Sequence, residues 1–593
     1  MKSLKLLSDL VDDICCQLPE CAASLRRDLL TVEHRVEYEG NSFLTVTLPL
    51  YGDLIFRSLE MNKFQPCASF SKKSRKGALP AFLHGLLELV FDAGTGEVLA
   101  EASVEALCEL RQICYLFKKV QLKTSQDERL DRLARRKFFE VEDDINLDAV
   151  HPLLIAVARV AWKPMTERDV RSLVPRNGPG AVFEGLRPNE KFVHLVANLR
   201  DDVCADFNWS LVELAQHEMA AGMAPKPGSN VDFLNGPSVA RLISVPKNST
   251  SRRTITVEPC CLMFQQQALN EYIRGRISTS PMLSQAITLD NQQPSKDMAI
   301  ASSKSREFAT LDLSAASDRL ALRLVEAVFD HDRYLLAHLQ RARSSWVTSA
   351  TRSQRLRKYA GMGNATTFPI QSIIFTLLSV CAILEKRGFN ASRKNVARAL
   401  GQIRVFGDDL IVPNDVYHTL VKWLEMHGLK VNEGKSFTLS SFRESCGSDA
   451  YKGVEITPTY VRTSPENPSS VNEVVSLVAT CNQLWLRGYY RASNNLRHVA
   501  ESFLKKSLKL LGVGSGGVGL RDRYGSMTVE RWNKELHRFE VKSLRIRERK
   551  QKDSIDGYPA LLKSLLAFPL SSGTLEESVM RGKMRIREGW LAI

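Results

Sequence analysis

The feature that most constrains this chain is a short string, Phe406-Gly407-Asp408-Asp409, set between Ile403-Arg404-Val405 and Leu410-Ile411-Val412-Pro413. Two β-prone runs around a Gly-Asp turn read as a hairpin with adjacent carboxylates at its tip. Adjacent carboxylates repel, so a tip that keeps two of them calls for a compensating charge. A bound divalent cation supplies one, because it inverts the local electrostatics. The same four residues also suit an ordinary surface turn, and the surrounding sequence has to separate the two readings.

A second acidic site lies upstream in Phe308-Ala309-Thr310-Leu311-Asp312-Leu313-Ser314. Alternation predicts a strand ending near Asp312. Ser314 is then expected to cap a helix whose apolar face runs through Leu320, Leu324, Val325 and Val328, with Asp318 in its first turn. An acidic residue there is also ordinary helix chemistry. If the two strands share a sheet, Asp312, Asp408 and Asp409 converge. Oxygen donors without Cys or His suit Mg²⁺ and admit Mn²⁺. Two such ions about 4 Å apart are what phosphoryl transfer uses to activate the attacking hydroxyl and stabilise the leaving oxygen.

Three further segments fit around an acidic cleft. Gly361-Met362-Gly363-Asn364-Ala365-Thr366-Thr367-Phe368-Pro369 reads as a glycine-containing polar loop, with Thr366 or Thr367 as cap and Pro369 in the first turn of a long apolar helix. Gly428-Leu429-Lys430-Val431-Asn432 ends the helix around Trp423 and opens a short strand. Lys435 follows, in reach of a departing pyrophosphate as acid or charge stabiliser. Val245-Pro246-Lys247-Asn248-Ser249-Thr250-Ser251-Arg252-Arg253 puts Lys247, Arg252 and Arg253 in a loop between β-prone runs, a donor set for a triphosphate. Each of these alone also describes a plain capped helix or a solvated basic loop.

Bulk properties limit the partners. The chain has 593 residues and a net charge of +15, which favours a polyanion. The most apolar stretch, Ile370 to Leu384, is broken by Gln371, Ser372, Thr376 and Ser379 and reads as a buried helix, so a membrane is the weaker choice. Asp9, Asp12 and Asp13 interrupt any secretory pattern at the start, and the twelve cysteines lack a Cys-x-x-Cys, so reduced thiols and no zinc site are expected. Gly512-Val513-Gly514-Ser515-Gly516-Gly517 follows a helical segment, Ser502 to Leu511, and reads as a loop rather than a dinucleotide fingerprint.

Along the chain, 1–160 mixes amphipathic helices with a β-like run from Ser42 to Phe56, and 161–235 is rich in loop signals. Val239 to Val257 is β-prone, 307–458 alternates strand and helix, and from about 465 the pattern reads as helical and basic, as in Lys542 to Lys552.

The ordered set resembles the motifs of RNA-directed RNA polymerases, and more narrowly the replicase catalytic (beta) subunit of single-stranded RNA bacteriophages. The residues that carry this are Val245-Pro246-Lys247-Asn248 with Glu258-Pro259, Leu311 to Asp318, Met362-Gly363-Asn364, Phe406 to Asp409, and Phe442-Arg443-Glu444-Ser445-Cys446-Gly447. The resemblance implies an α+β right-hand polymerase with an antiparallel palm sheet flanked by helices. Its divisions fall at 1–300 (N-terminal region and fingers), 301–460 (palm) and 461–593 (helical, basic thumb and C-terminal region).

It further implies two Mg²⁺ ions on Asp312, Asp408 and Asp409. The triphosphate would meet Lys247, Arg252 and Arg253. Asp318, Gly363 and Asn364 would lie at the nucleotide sugar, and Lys435 at the pyrophosphate. Primer-independent start, template and product RNA, host elongation factors Tu and Ts, a small-subunit ribosomal protein and the cytoplasm of an infected bacterium complete what it implies. Phe406 stands where most relatives carry Tyr, and Pro369 and Gln371 where acidic residues are frequent. Two alternatives stay open. Reverse transcription is disfavoured by the small or polar Ala315, Ala316, Ser317 and Asp318, which leave room for a 2′-hydroxyl. A non-catalytic RNA-binding protein would leave the ordered carboxylates unexplained.

Overall fold

The long apolar helix Thr367–Lys386 is the axis of the larger core in the computed structural model, which describes residues 1–120, 126–178, 180–198, 238–548, 555–566 and 584–593. It is apolar on all sides because it is covered on all sides: 94% of its most apolar window is buried inside the protein. Its interrupting hydroxyls are satisfied locally. Ser372, Thr376 and Ser379 each donate to the carbonyl one turn back, at 2.8, 2.7 and 2.8 Å. The helix is long and apolar enough to cross a membrane, yet its surroundings are protein.

Against this core lies a three-stranded antiparallel sheet in the order Phe308–Leu311, Asp409–Pro413, Arg404–Phe406. The last two strands form the expected hairpin, with Phe406 opposite Asp409 and Gly407 at φ +64 in the turn. Leu311 pairs with Leu410, so Asp312 and Asp409 follow the last registered pair. One large core joins the inner face of this sheet to the long helix and to Leu324, Val325, Val328, Leu420 and Trp423. A mixed sheet, Val239–Pro246 with Arg252–Val257, Trp346–Thr348 and Ser353–Arg355, flanks it.

A second core does not respect chain order. Helices from the first 120 residues share it with Phe437, Phe442, Tyr451, Val461, Leu477 and Leu496. Packing therefore cuts across the divisions at 300 and 460: the N-terminal helices and the 437–499 stretch form one body, and residues near 154–431 form the other. Helix Gln293–Ser305 contacts both the three-stranded sheet, Phe308–Leu311 with Asp409–Pro413 and Arg404–Phe406, and the small sheet Phe442–Ser445, Ser448–Tyr451, Val454–Glu455.

Several local expectations are corrected. Ser42 to Phe56 is helical, not extended; its buried residues Phe43, Leu44, Leu48, Tyr51 and Ile55 recur every three or four positions, and packing overrides the β-prone composition. Ser314 caps no helix. It pairs with Lys430, Ala315 takes the left-handed region at φ +53, and the helix begins only at Leu322, so Asp318 lies in the turn before it. Thr366 holds the N-cap position, but its hydroxyl turns to Asn364 and Tyr359 rather than the helix.

The helix around Ser502 stops at Leu504, and the segment beyond is not mainly helical. Gly517–Val518, Arg531–Asn533, Arg538–Glu548 and Met584–Ala592 form a sheet, so the basic run from Lys542 is strand as far as Glu548. Its remainder at 549–552, the loop signals at 199–235 and Pro179 lie outside the described residues. The described cysteines are all free.

The second core holds a carboxyl where water does not reach. Glu109 is 5% exposed and accepts from the Tyr489 hydroxyl at 3.0 Å; burial pushes its pKa up to about 7. Its folded pKa lies above the unfolded value, so its share of stability is complete below about pH 4.5 and is lost as pH rises through about 7. Glu109→Gln, which mimics the protonated form, is expected to gain roughly 1–3 kcal/mol over the parent at pH 8 and little at pH 4.5, in denaturant titrations at the two pH values.

Candidate active site

The hairpin tip is held from below by the start of the long helix. Ser372 Oγ accepts from the Gly407 N–H at 3.1 Å, and the Phe368 ring meets Phe406 edge to face at 5.1 Å. A Cβ on Gly407 would stand 2.6 Å from the Phe368 ring, so glycine is required by both its φ and the space. The Phe406 ring therefore packs with no need of a hydroxyl. Sequence showed the hairpin but not this clamp, whose only signal is a serine and an aromatic one turn apart on a buried helix.

Asp312, Asp408 and Asp409 come together at one end of the sheet. Burial raises the pKa of Asp312, and the Asp408 charge adds to it. Burial, then Asp408 and Asp312, push Asp409 up to about 7. Asp312 and Asp409 have each found a separate donor. Asp312 Oδ2 accepts from Asn432 Nδ2 at 2.8 Å, and Asp409 takes a backbone hydrogen bond from Cys446. Among the described residues no group of three or more His, Cys, Asp and Glu is gathered in a cation-holding geometry. The donor set nonetheless fits a hard divalent cation: it is all oxygen, it repels itself, and its charge is only partly compensated.

Cations face the carboxylates from two sides. Lys247 opens the 247–251 loop, directly after the strand pair Pro246 and Arg252, and its pKa is lowered by burial of the ammonium, then by Arg253 and Lys435, against the pull of Asp312 and Asp408. That loop is pinned to the N-terminal body by Ser249, whose buried hydroxyl donates to the Thr45 carbonyl at 2.9 Å. Lys435 stands 3.8 Å from Glu444, and its pKa is raised by Glu444 first and by Asp312 and Asp409 further down, which keeps it an ammonium. A cavity of about 630 Å³ opens beside it, lined by Asp53, Arg57 and Gln65 of the N-terminal body with Asn432 and Gly434.

Arg252 is not brought to this cleft. Its guanidinium turns to the far face of its strand, where it pairs with Asp127 and donates to the Ser244 carbonyl at 2.7 Å. Strand alternation explains why Arg253 is exposed to the cleft side and Arg252 braces the sheet.

The polar loop is held by contact with the mixed sheet. Gly363 has φ +126, and a Cβ there would fall 2.2 Å from the Thr256 carbonyl oxygen, so the loop fits only as glycine. Asn364 is 4% exposed; its Oδ1 accepts from the Thr366 N–H and hydroxyl at 2.9 and 2.7 Å, while its buried Nδ2 has no partner. An unpaired buried donor is costly, so an oxygen from a bound molecule is the natural completion.

Asp318 belongs to a network that sequence reasoning missed. Lys358, with a fully buried side chain, places Nζ 2.9 Å from Asp318 Oδ1, 3.3 Å from Glu142 Oε2 and 3.5 Å from the Phe138 ring centroid. Helix Gln126–Asp144 thereby anchors the residue expected at the sugar. No local pattern marks Lys358, since its partners are distant in the chain. Arg443, inside the Phe442-to-Gly447 string, is also structural: it donates to the carbonyls of Phe308, Ser440 and Phe442 at 2.7 Å and ties the small sheet to the strand that ends before Asp312.

Residues 218–490 match the model of the family described as RNA replicase, beta-chain. That segment is similar to the RNA replicase beta-chain family. The chain is 30% identical over 283 residues to the RNA-directed RNA polymerase subunit beta of Qbeta virus (strain MX1), covering 47% of this chain and 45% of the relative. It is 31% identical to the RNA-directed RNA polymerase beta chain of Escherichia phage MS2 over 38% of each chain, and 33% identical to the subunit beta of Enterobacteria phage SP over 37% of this chain and 36% of the relative. The alignments thus span less than half the length of these relatives. The matched segment contains the three-stranded sheet, the hairpin and the Asn364 loop, but not the N-terminal helices that supply Thr45, Asp53 and Glu142.

Removing the Lys358 ammonium would leave Glu142 and Asp318 facing each other without a cation. Lys358→Met is expected to cost about 3–5 kcal/mol in chemical denaturation, and Lys358→Arg markedly less.

Proposed function

We propose that this chain is the catalytic subunit of an RNA-directed RNA polymerase that copies a viral single-stranded RNA genome, starting without a primer and joining nucleotides with the help of two divalent ions. The observation that carries the reading is the meeting of Asp312 with the 408–409 hairpin at one end of an antiparallel sheet, inside a replicase beta-chain segment. The right-hand arrangement follows from the same resemblance. The catalytic sheet would be the palm, the 239–257 hairpin with its surroundings part of the fingers, and the C-terminal region the thumb.

Asp312, Asp408 and Asp409 would hold two Mg²⁺, with Mn²⁺ as a substitute; when bound, the ions would lower the pKa of the attacking hydroxyl and neutralise charge on the leaving oxygen. The chain's own groups account for the rest. Lys247 and Arg253 are placed to neutralise a triphosphate that approaches the carboxylates. Lys435, kept protonated by Glu444, contributes positive charge beside the departing pyrophosphate. The free Nδ2 of Asn364 offers a hydrogen bond to a sugar hydroxyl, and Asp318, fixed by Lys358, offers an acceptor. Both favour a ribose over a deoxyribose, because a missing hydroxyl leaves a buried group unpaired.

Host elongation factors Tu and Ts and a small-subunit ribosomal protein are proposed as partners in the cytoplasm of an infected bacterium. The relatives' designation as a beta subunit supports an assembly of several chains. Mass spectrometry of proteins retained through purification from bacteria tests this part separately.

Asp408→Asn is expected to lower Mg²⁺-dependent nucleotide incorporation on an RNA template roughly a hundredfold or more, with RNA affinity nearly unchanged. Full activity in this variant would remove Asp408 from the metal site and the reading with it. Asn364→Ala is expected to reduce the preference for ribo- over deoxyribonucleotides by roughly tenfold, read as the ratio of the two kcat/KM values on one template.

A further inference from the structure

The C-terminal sheet, which contributes no described residue to the cleft above, leaves planar side chains uncovered. Its body is seated: Leu544 packs with Val474, Val478, Ala500 and Leu508, while Val541 and Leu591 pack under Leu511. No described residue of this sheet joins the core behind the catalytic carboxylates. Toward the turn at 534–537 the hairpin of Arg531–Asn533 and Arg538–Glu548 runs out of cover.

On one face the cross-strand pair Trp532 and Phe539 is 47% and 53% exposed, with ring centroids 4.7 Å apart in an edge-to-face arrangement. On the other face the Arg531 guanidinium lies over Trp590 at 3.7 Å. Glu540 takes the edge of that guanidinium, accepting from Nε at 3.0 Å and Nη2 at 2.7 Å. The plane of Arg531 is thus fixed, and its side chain remains 44% exposed. Glu540 also pairs with Arg538 at 2.8 Å, so one carboxylate serves two arginines. Exposed Lys534 and Arg545 add further positive charge, while Lys542 is paired with Glu588 at 3.9 Å.

We propose that this ribbon is a second RNA-binding surface, a stacking platform for single-stranded RNA outside the catalytic cleft. Exposed rings and an edge-locked guanidinium present flat faces on which any unpaired base stacks, and the flanking cations meet phosphates. A base-paired strand offers no free faces to these rings, so the platform selects unpaired RNA. An apolar protein surface laid on the same rings would have to desolvate the cations around them, whereas a polyanion complements them and the +15 chain as a whole. The choice of RNA as the polymer rests on the polymerase reading, but binding is measured without synthesis.

The test uses the full chain and a short unstructured oligouridylate carrying a photoactivatable base. The wild type is expected to give a cross-link that maps to 531–539 or to Trp590. Trp532→Ala/Phe539→Ala is expected to lose that cross-link and at least about tenfold in its share of oligonucleotide affinity, since each stacked base contributes at that level. Trp532→Phe/Phe539→Tyr keeps the rings and is expected to retain both, which separates stacking from folding; melting curves compare the three proteins. Cross-links confined to the cleft, unchanged affinity in the double alanine variant, or equal competition by duplex RNA would overturn the proposal. So would loss of a co-purifying protein in that variant with RNA binding intact, which would make the ribbon a protein-docking surface. A wild type that forms the ribbon cross-link yet makes no RNA would remove the polymerase reading and leave the platform standing.

Discussion

Three carboxylates at the end of one sheet repel each other, and much of the surrounding structure exists to keep them there. The Asp312 side is fixed by Asn432 and by the ladder to Asp409–Pro413. The hairpin tip is fixed by Ser372 and Phe368 of the buried helix. Arg443 ties the small sheet to the strand that leads into Asp312. None of these contacts neutralises the cluster. They restrain its backbone while Asp312 and Asp409 take separate donors.

The same logic explains why the N-terminal body is built into the cleft. Glu142 reaches Lys358 and through it Asp318; Thr45 receives Ser249 of the basic loop; Asp53 and Arg57 line the cavity beside Lys435. Glu142, Thr45, Asp53 and Arg57 lie outside the segment that matches the replicase family. A core shared between the first 120 residues and the 437–499 stretch makes that contribution rigid. The cleft is thus assembled from both packing bodies.

Chain ends contribute differently. The C-terminal sheet is attached through Leu544 and its neighbours to two helices of the second core, and its outer hairpin is left with rings and arginines exposed on both faces. Isolated exposed apolar residues are ordinary, but a cross-strand aromatic pair backed by an arginine locked on its edge is a concentrated surface. Its chemistry suits a polyanion with unpaired bases, consistent with the charge of the whole chain.

What the sequence determined by itself was local or strictly ordered. The Gly407 turn, the strand before Asp312, the apolar helix after Asn364 and the order of these motifs are set by turn chemistry, alternation and apolar runs, which act over a few residues. Tertiary structure decided whatever depended on distant partners. Arg252 and Arg253 are adjacent and equally basic, yet only the pleat of their strand and the position of Asp127 turn one away from the cleft. Lys358 has no pattern of its own, and its place beside Asp318 exists only because helix Gln126–Asp144 brings Glu142 to it. Ser42 to Phe56 looked extended by residue type and folded as helix because its apolar side chains had a core to enter. Local preferences amount to tenths of a kcal/mol per residue, whereas burial and paired charge act at the scale of whole kcal/mol, and they outweigh those preferences wherever the two disagree.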